Sequence, residues 1–190
     1  MKAVEVAATP LRNGKLYPLS VEAYRALGEA GFIPENTELL YGLVYTKMSQ
    51  SPIHAALVGR LMRALMKVAP PSVWVRSEQP VTCADSEPEP DVSVVKGSED
   101  DYLEAHPSTA ELVIEVCVTS HDYDQSKLRA YAIAGVKECW YVLAPEQQVE
   151  VYRKAAGGEF LERAIFGPGG EVVGESVSGF RVELGWLFGK

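Results

Sequence analysis

Apolar residues recur along the chain with two different periods. The first is helical: Ile53, Leu57, Leu61 and Leu65 recur every fourth position, with Val58, Met62 and Met66 beside them, which is the core-facing stripe of an amphipathic helix. Ser51-Pro52 puts a capping hydroxyl and a helix-starting proline in front of it, and Pro70-Pro71 ends it. Arg60, Arg63 and Lys67 share another face that reads as solvated, and His54 in the first turn reads as structural, the alternative being that a helix N-terminus faces an active site. A shorter helix is predicted over 19–27, with Ser20 as N-cap and Gly28 or Gly31 as the stop. A third is predicted over 124–134, carrying Lys127, Leu128, Tyr131 and Ile133 and stopped by Gly135.

The second pattern is that of strands. Residues 111–120, Glu-Leu-Val-Ile-Glu-Val-Cys-Val-Thr-Ser, are apolar and β-branched with turn-prone residues after them, as in a strand buried on both faces of a sheet. Glu115 sits in the middle, where a carboxylate needs a partner or a metal. It shares a face with Cys117 and Thr119. About twenty residues earlier, Pro90-Asp91 opens a second β-branched run. Two acids on adjacent buried strands would make a pocket suited to a hard divalent cation. Asp91 could also cap a turn. Residues 37–47 predict a strand or hairpin bent at Gly42, with Glu38 an exposed strand-end acid on pattern alone. Residues 73–76, 79–83 and 138–143 are strand-like, 149–153 and 160–165 read as a hairpin around Gly157-Gly158, and a further short strand is expected around Gly169-Gly170. Residues 96–109 read as a surface loop and 120–123 as a turn. Helices around a central sheet, with hairpins at the end, make an α/β or α+β domain.

Composition narrows the reading further. The 190 residues, 47% hydrophobic and 23% charged, suit one domain over 18–190 behind an N-terminal arm at 1–17. No apolar run is long enough for a membrane span, and the N-terminus lacks the apolar core of a signal peptide, so a cytoplasmic location without a membrane partner is expected. Cys83, Cys117 and Cys139 are scattered, as reduced thiols are. The net charge of −8 argues against a broad basic surface for nucleic acid and leaves a local one, for which Arg60, Arg63, Lys67, Lys127 and Arg129 are candidates.

The succession Thr-Glu-Leu-Leu-Tyr-Gly, Ser-Pro-Ile-His, Pro-Asp-Val-Ser-Val-Val, Glu-Leu-Val-Ile-Glu-Val and Lys-Leu-Arg-Ala-Tyr-Ala-Ile-Ala-Gly-Val-Lys-Glu-Cys-Trp-Tyr-Val resembles the Uma2 (DUF820) family. That family lies within the PD-(D/E)xK nuclease-like superfamily. The resemblance covers roughly residues 18–187, and its most specific part is the closing Gly-Val-x-Glu-x-Trp-x-Val. It implies a restriction-endonuclease-like core, a central mixed β-sheet flanked by helices.

It also implies that Asp91, Glu115 and Glu38 bind Mg²⁺ or Mn²⁺ in a metal-dependent endonuclease that hydrolyses phosphodiester bonds of nucleic acid, with DNA expected. The lysine that the motif places two residues after Glu115 is replaced by Cys117, and Lys127 matches the helix lysine that Uma2-like proteins carry instead. A Lys127→Met exchange is expected to leave fold and metal binding largely intact while cutting turnover. A homodimer is expected, resting on the apolar C-terminal run Gly185-Trp186-Leu187-Phe188. The alternative is a nuclease-fold protein acting as a binding or interaction module, favoured by the acidic charge and the missing motif lysine.

Overall fold

Ser20 stands in extended backbone and its hydroxyl accepts the Ala23 N–H, so helix α1 (Val21–Glu29) starts where its cap predicts. The computed structural model describes residues 15–47, 50–119 and 121–189. Residues 1–14 of the expected arm and Ser120 of the expected turn lie outside the described residues. Strands β1 (Thr37–Leu40) and β2 (Leu43–Thr46) form an antiparallel hairpin, a sheet separate from the main one. Its two turn residues, Tyr41 and Gly42, both have positive φ, at 53° and 76°, the geometry of a tight hairpin turn. A Cβ on Gly42 would lie 2.3 Å from Pro18 Cβ, so close approach requires glycine there as well.

Helix α2 (Pro52–Val68) follows, with the Ser51 hydroxyl accepting the His54 N–H and proline in the first turn. Leu57, Val58, Leu61 and Leu65 are buried, but Ile53 is 51% and Met66 68% exposed. The core-facing stripe therefore covers the middle of the predicted repeat and leaves out its ends.

The main sheet has six strands in the order β3 (Val73–Arg76), β4 (Val92–Lys96), β5 (Leu112–Cys117), β6 (Glu138–Leu143), β7 (Gln148–Ala156), β8 (Glu159–Phe166). All neighbours are antiparallel except β5 and β6. A parallel pair needs a crossover, and two short helices, α3 (His121–Ser126) and α4 (Leu128–Ile133), lie within it. They replace the single helix expected over 124–134, and α3 occupies part of the expected turn. Leu112, Ile114 and Val116 of β5 pack in one core with α2, while Val113 and Cys117 pack on the other face with Tyr131 of α4.

Residues 79–83 are not a strand. Pro80 has no N–H to give a ladder, and the next three N–H groups bond to Pro88, Pro107 and Ser86 carbonyls. Residues 96–109 form the expected loop, with a short 3-10 turn at Glu99–Tyr102. At the C-terminus β9 (Glu171–Val173) pairs antiparallel with β10 (Arg181–Glu183), and Trp140 stacks on Phe180 with ring centroids 4.9 Å apart. A final helix, α5 (Leu184–Phe188), was not expected; it packs Leu187 fully into the core, leaving Trp186 44% exposed. The C-terminal apolar run is thus largely used within the chain and no longer supports a dimer. Among the described residues, no helix is long and apolar enough to cross a membrane.

Candidate active site

Four segments distant in sequence meet at the ends of β4 and β5. The register Val92↔Ile114 sets Asp91, just before β4, beside Glu115 in the middle of β5. Asp91 is locked there: Oδ2 accepts the Val116 N–H at 2.6 Å and Oδ1 lies 3.0 Å from His54 Nε2. Glu115 is 1% exposed, and its Oε1 accepts the Tyr131 hydroxyl at 2.6 Å. Glu38 comes in on β1, also 1% exposed, which corrects the reading of an exposed strand-end acid. Its Oε1 accepts the Tyr123 hydroxyl at 2.7 Å and its Oε2 the Glu89 N–H at 3.1 Å.

Lys127 stands at the junction between α3 and α4 and is 4% exposed. Its Nζ lies 3.1 Å from Glu38, 3.3 Å from Glu115 and 3.5 Å from Asp124, and 5.3 Å from the centroid of the Tyr123 ring. Burial works against the ammonium, but the charges of Glu115, Glu38 and Asp124 more than offset it and hold its pKa above the ordinary lysine value. Burial pushes the Glu115 carboxyl upward, and Lys127 pulls it back. The hydrogen bond to Asp91 raises the His54 imidazole above its usual value, against the effect of burial. His54 Nδ1 is buried without a hydrogen-bond partner among the described residues.

These groups line one cleft of about 630 Å³. Its walls carry six carboxylates, Glu38, Glu78, Glu89, Asp91, Glu115 and Asp124, against the lysines Lys47 and Lys127. Both lysines are engaged, Lys47 with Glu89 and Lys127 with its three acids. Carboxylate oxygens are the donors that a hard divalent cation takes, so the residues present fit Mg²⁺ or Mn²⁺ chemically. Among the described residues no three His, Cys, Asp or Glu side chains already form a cation cage; Glu38, Glu115 and Asp124 converge on Lys127 instead.

A model of the Uma2 family, described as a putative restriction endonuclease, matches residues 22–185. The chain belongs to the Uma2 family. No curated protein matches it. Among solved structures, a putative nuclease belonging to DUF820 from Anabaena variabilis superposes with a TM-score of 0.76 at 19% identity, covering 90% of this chain and 98% of that one. At that identity the likeness is one of fold, the mixed α/β nuclease fold described above. The chain is a nuclease-like Uma2 protein.

The Uma2 cleft thus holds all four residues singled out from the sequence, Glu38, Asp91, Glu115 and Lys127. Cys117, where the motif lysine would stand, is 2% exposed with its thiol pushed far upward by burial, so it bears no charge at neutral pH. Tyr131, on the same face as Lys127, reaches Glu115 as the spacing suggests. Three residues went unassigned. His54 was read as structural, although a first-turn position with Ser51-Pro52 ahead of it can face a site. Tyr123 and Asp124 gave no signal, because a helix was not expected to begin before them. The basic candidates Arg60, Arg63, Lys67 and Arg129 do not line the cleft: Arg60 donates to the Leu187 carbonyl and Arg129 lies over the Tyr41 ring. Lys127 is enclosed by acids and forms no part of an exposed basic surface.

Proposed function

We propose that this Uma2 protein is a metal-dependent endonuclease that hydrolyses phosphodiester bonds, with DNA as substrate, working as one cytoplasmic domain over 18–190. The observation that carries the reading is the meeting of Glu38, Asp91, Glu115 and Lys127 in one cleft, supported by the family match. Glu38, Asp91 and Glu115 are the residues that would hold Mg²⁺ or Mn²⁺. Such an ion, when bound, acidifies a coordinated water and neutralises charge on the phosphate being cut. Lys127 brings a fixed positive charge beside Glu38 and Glu115, where it would offset negative charge building on a phosphate held at those acids. Tyr123 and Tyr131 hold Glu38 and Glu115 by hydrogen bonds, so these carboxylates face the cleft in fixed orientations. His54 and the Val116 N–H do the same for Asp91.

A second reading has its own support. Each of the three acids already has a partner inside the chain, as in a nuclease-fold protein retained for binding. The two are separated by supercoiled plasmid, single-stranded DNA and RNA incubated with Mn²⁺, Mg²⁺ or chelator, alongside calorimetric titration with Mn²⁺. Cation-dependent cleavage abolished by Glu115→Gln supports the endonuclease. No cleavage of any substrate, together with no Mn²⁺ binding, overturns it in favour of the binding module.

A further inference from the structure

Strand β8 is eight residues long and ends the six-stranded sheet; among the described residues nothing pairs with its outer side. Such an edge is a template for another strand, and proteins usually blunt it with proline, charged side chains or a cover. Here the strand reads Glu-Phe-Leu-Glu-Arg-Ala-Ile-Phe, with no proline, and of its charges Arg163 is held by Glu150 of the neighbouring strand. Leu161 is 66% and Ile165 54% exposed, and Ile133 of α4, 43% exposed, adds to the apolar surface where it meets Gly158.

We propose that β8 pairs antiparallel with β8 of a second copy, joining two sheets into one of twelve strands. The occupant is argued from self-complementarity. A two-fold axis perpendicular to the sheet pairs each residue with one an even number of places away, so the register must be centred on a residue. Centring on Glu162 sets that acid against its own copy and Leu161 against Arg163. Centring on Ala164 sets Arg163 against Ile165 and Glu162 against Phe166. Centring on Arg163 sets Leu161 against Ile165 twice, with Glu162 facing Ala164, while Phe160 and Phe166 stay packed on opposite faces within their own chain. Two apolar cross-strand pairs form and no acid faces an acid. The two central arginines do not repel as bare charges, because each is ion-paired with its own Glu150 at 2.6 Å. This surface is separate from the acidic cleft and does not depend on the nuclease reading.

Light scattering at about 100 µM is expected to give twice the 20.7 kDa chain mass. Ile165→Lys, at an exposed position, is expected to raise the dimer dissociation constant by about tenfold or more, the scale of losing two cross-strand apolar pairs. The register is read by disulfide trapping, since the native cysteines are all buried. In the Arg163-centred register, Arg163→Cys faces its own copy at a Cα separation of about 5 Å, within disulfide reach. Glu159→Cys would stand about 27 Å from its copy. Cross-linking of the first and not the second supports the pairing. A monomer mass at about 100 µM, a dimer indifferent to Ile165→Lys, or equal trapping at both positions overturns it.

Discussion

Lys127→Met removes the one positive charge that Glu38, Glu115 and Asp124 share, and its cost can be worked from the geometry. At an effective dielectric constant of about 20, each contact at 3.1–3.5 Å is a gross attraction on the order of 5 kcal/mol. Desolvation of the ammonium offsets most of that. What remains is the penalty for leaving buried charges unpaired, roughly 3–5 kcal/mol. This corrects the expectation that the exchange would leave the fold largely intact: an exposed helix lysine could be lost cheaply, whereas one that is 4% exposed among three carboxylates cannot. For a chain of this size the loss lowers the melting temperature by about 10 °C. Urea unfolding followed by circular dichroism should show a lower midpoint with an unchanged slope. Mn²⁺ at about 100 times its dissociation constant should return about 2.7 kcal/mol if the acids accept the ion. Under the endonuclease reading, turnover falls by about 10²-fold or more. A variant within about 0.5 kcal/mol of the parent would refute the ion-pair account of this cleft.

Three other perturbations follow from the same geometry. Under the endonuclease reading, Asp91→Asn and Glu115→Gln should each abolish cleavage and weaken Mn²⁺ binding measured by calorimetry, while a variant that cuts at the parental rate removes that residue from the site. The buried thiols should resist modification, because burial pushes Cys83 up to about 12 and holds it protonated; Ellman's reagent at pH 8 should react with no cysteine until the protein is unfolded, and prompt reaction of the native protein contradicts the burial. Gly42→Ala combines positive φ with a Cβ 2.3 Å from Pro18, so it should destabilise the chain by more than about 1 kcal/mol in urea unfolding and loosen the hairpin that carries Glu38.

Glu115 could be read from the sequence because an acid inside an apolar β-branched run is already a conflict needing a partner. Asp91 became a candidate through its strand, and the register of β4 against β5 sets the two together. The burial of Glu38 had no such local sign. Thr-Glu-Leu-Leu has no clean alternation, and all four residues are buried although only one strand pairs alongside in the hairpin. His54 was missed because its partner Asp91 belongs to a distant segment. Helix α5 was missed because five residues span little more than one helical turn, too few to show a period. At 79–83 the strand-like composition was overridden by backbone hydrogen bonds to three separate loop positions.

The parallel pairing of β5 with β6 has a consequence for how this scaffold can change. Two parallel neighbours oblige the chain to return across a face of the sheet, so any sequence with this topology must place a segment above the acid-bearing strand. Here that segment carries Lys127. A positive charge can therefore migrate from strand to crossover without altering strand order or core, and position 117 becomes available for an apolar residue. Under the endonuclease reading, such relocation would leave the spatial constellation intact while erasing its linear signature. A search pattern written around an acid and a lysine two residues apart would pass over this chain, whereas one written in three-dimensional distances would retain it.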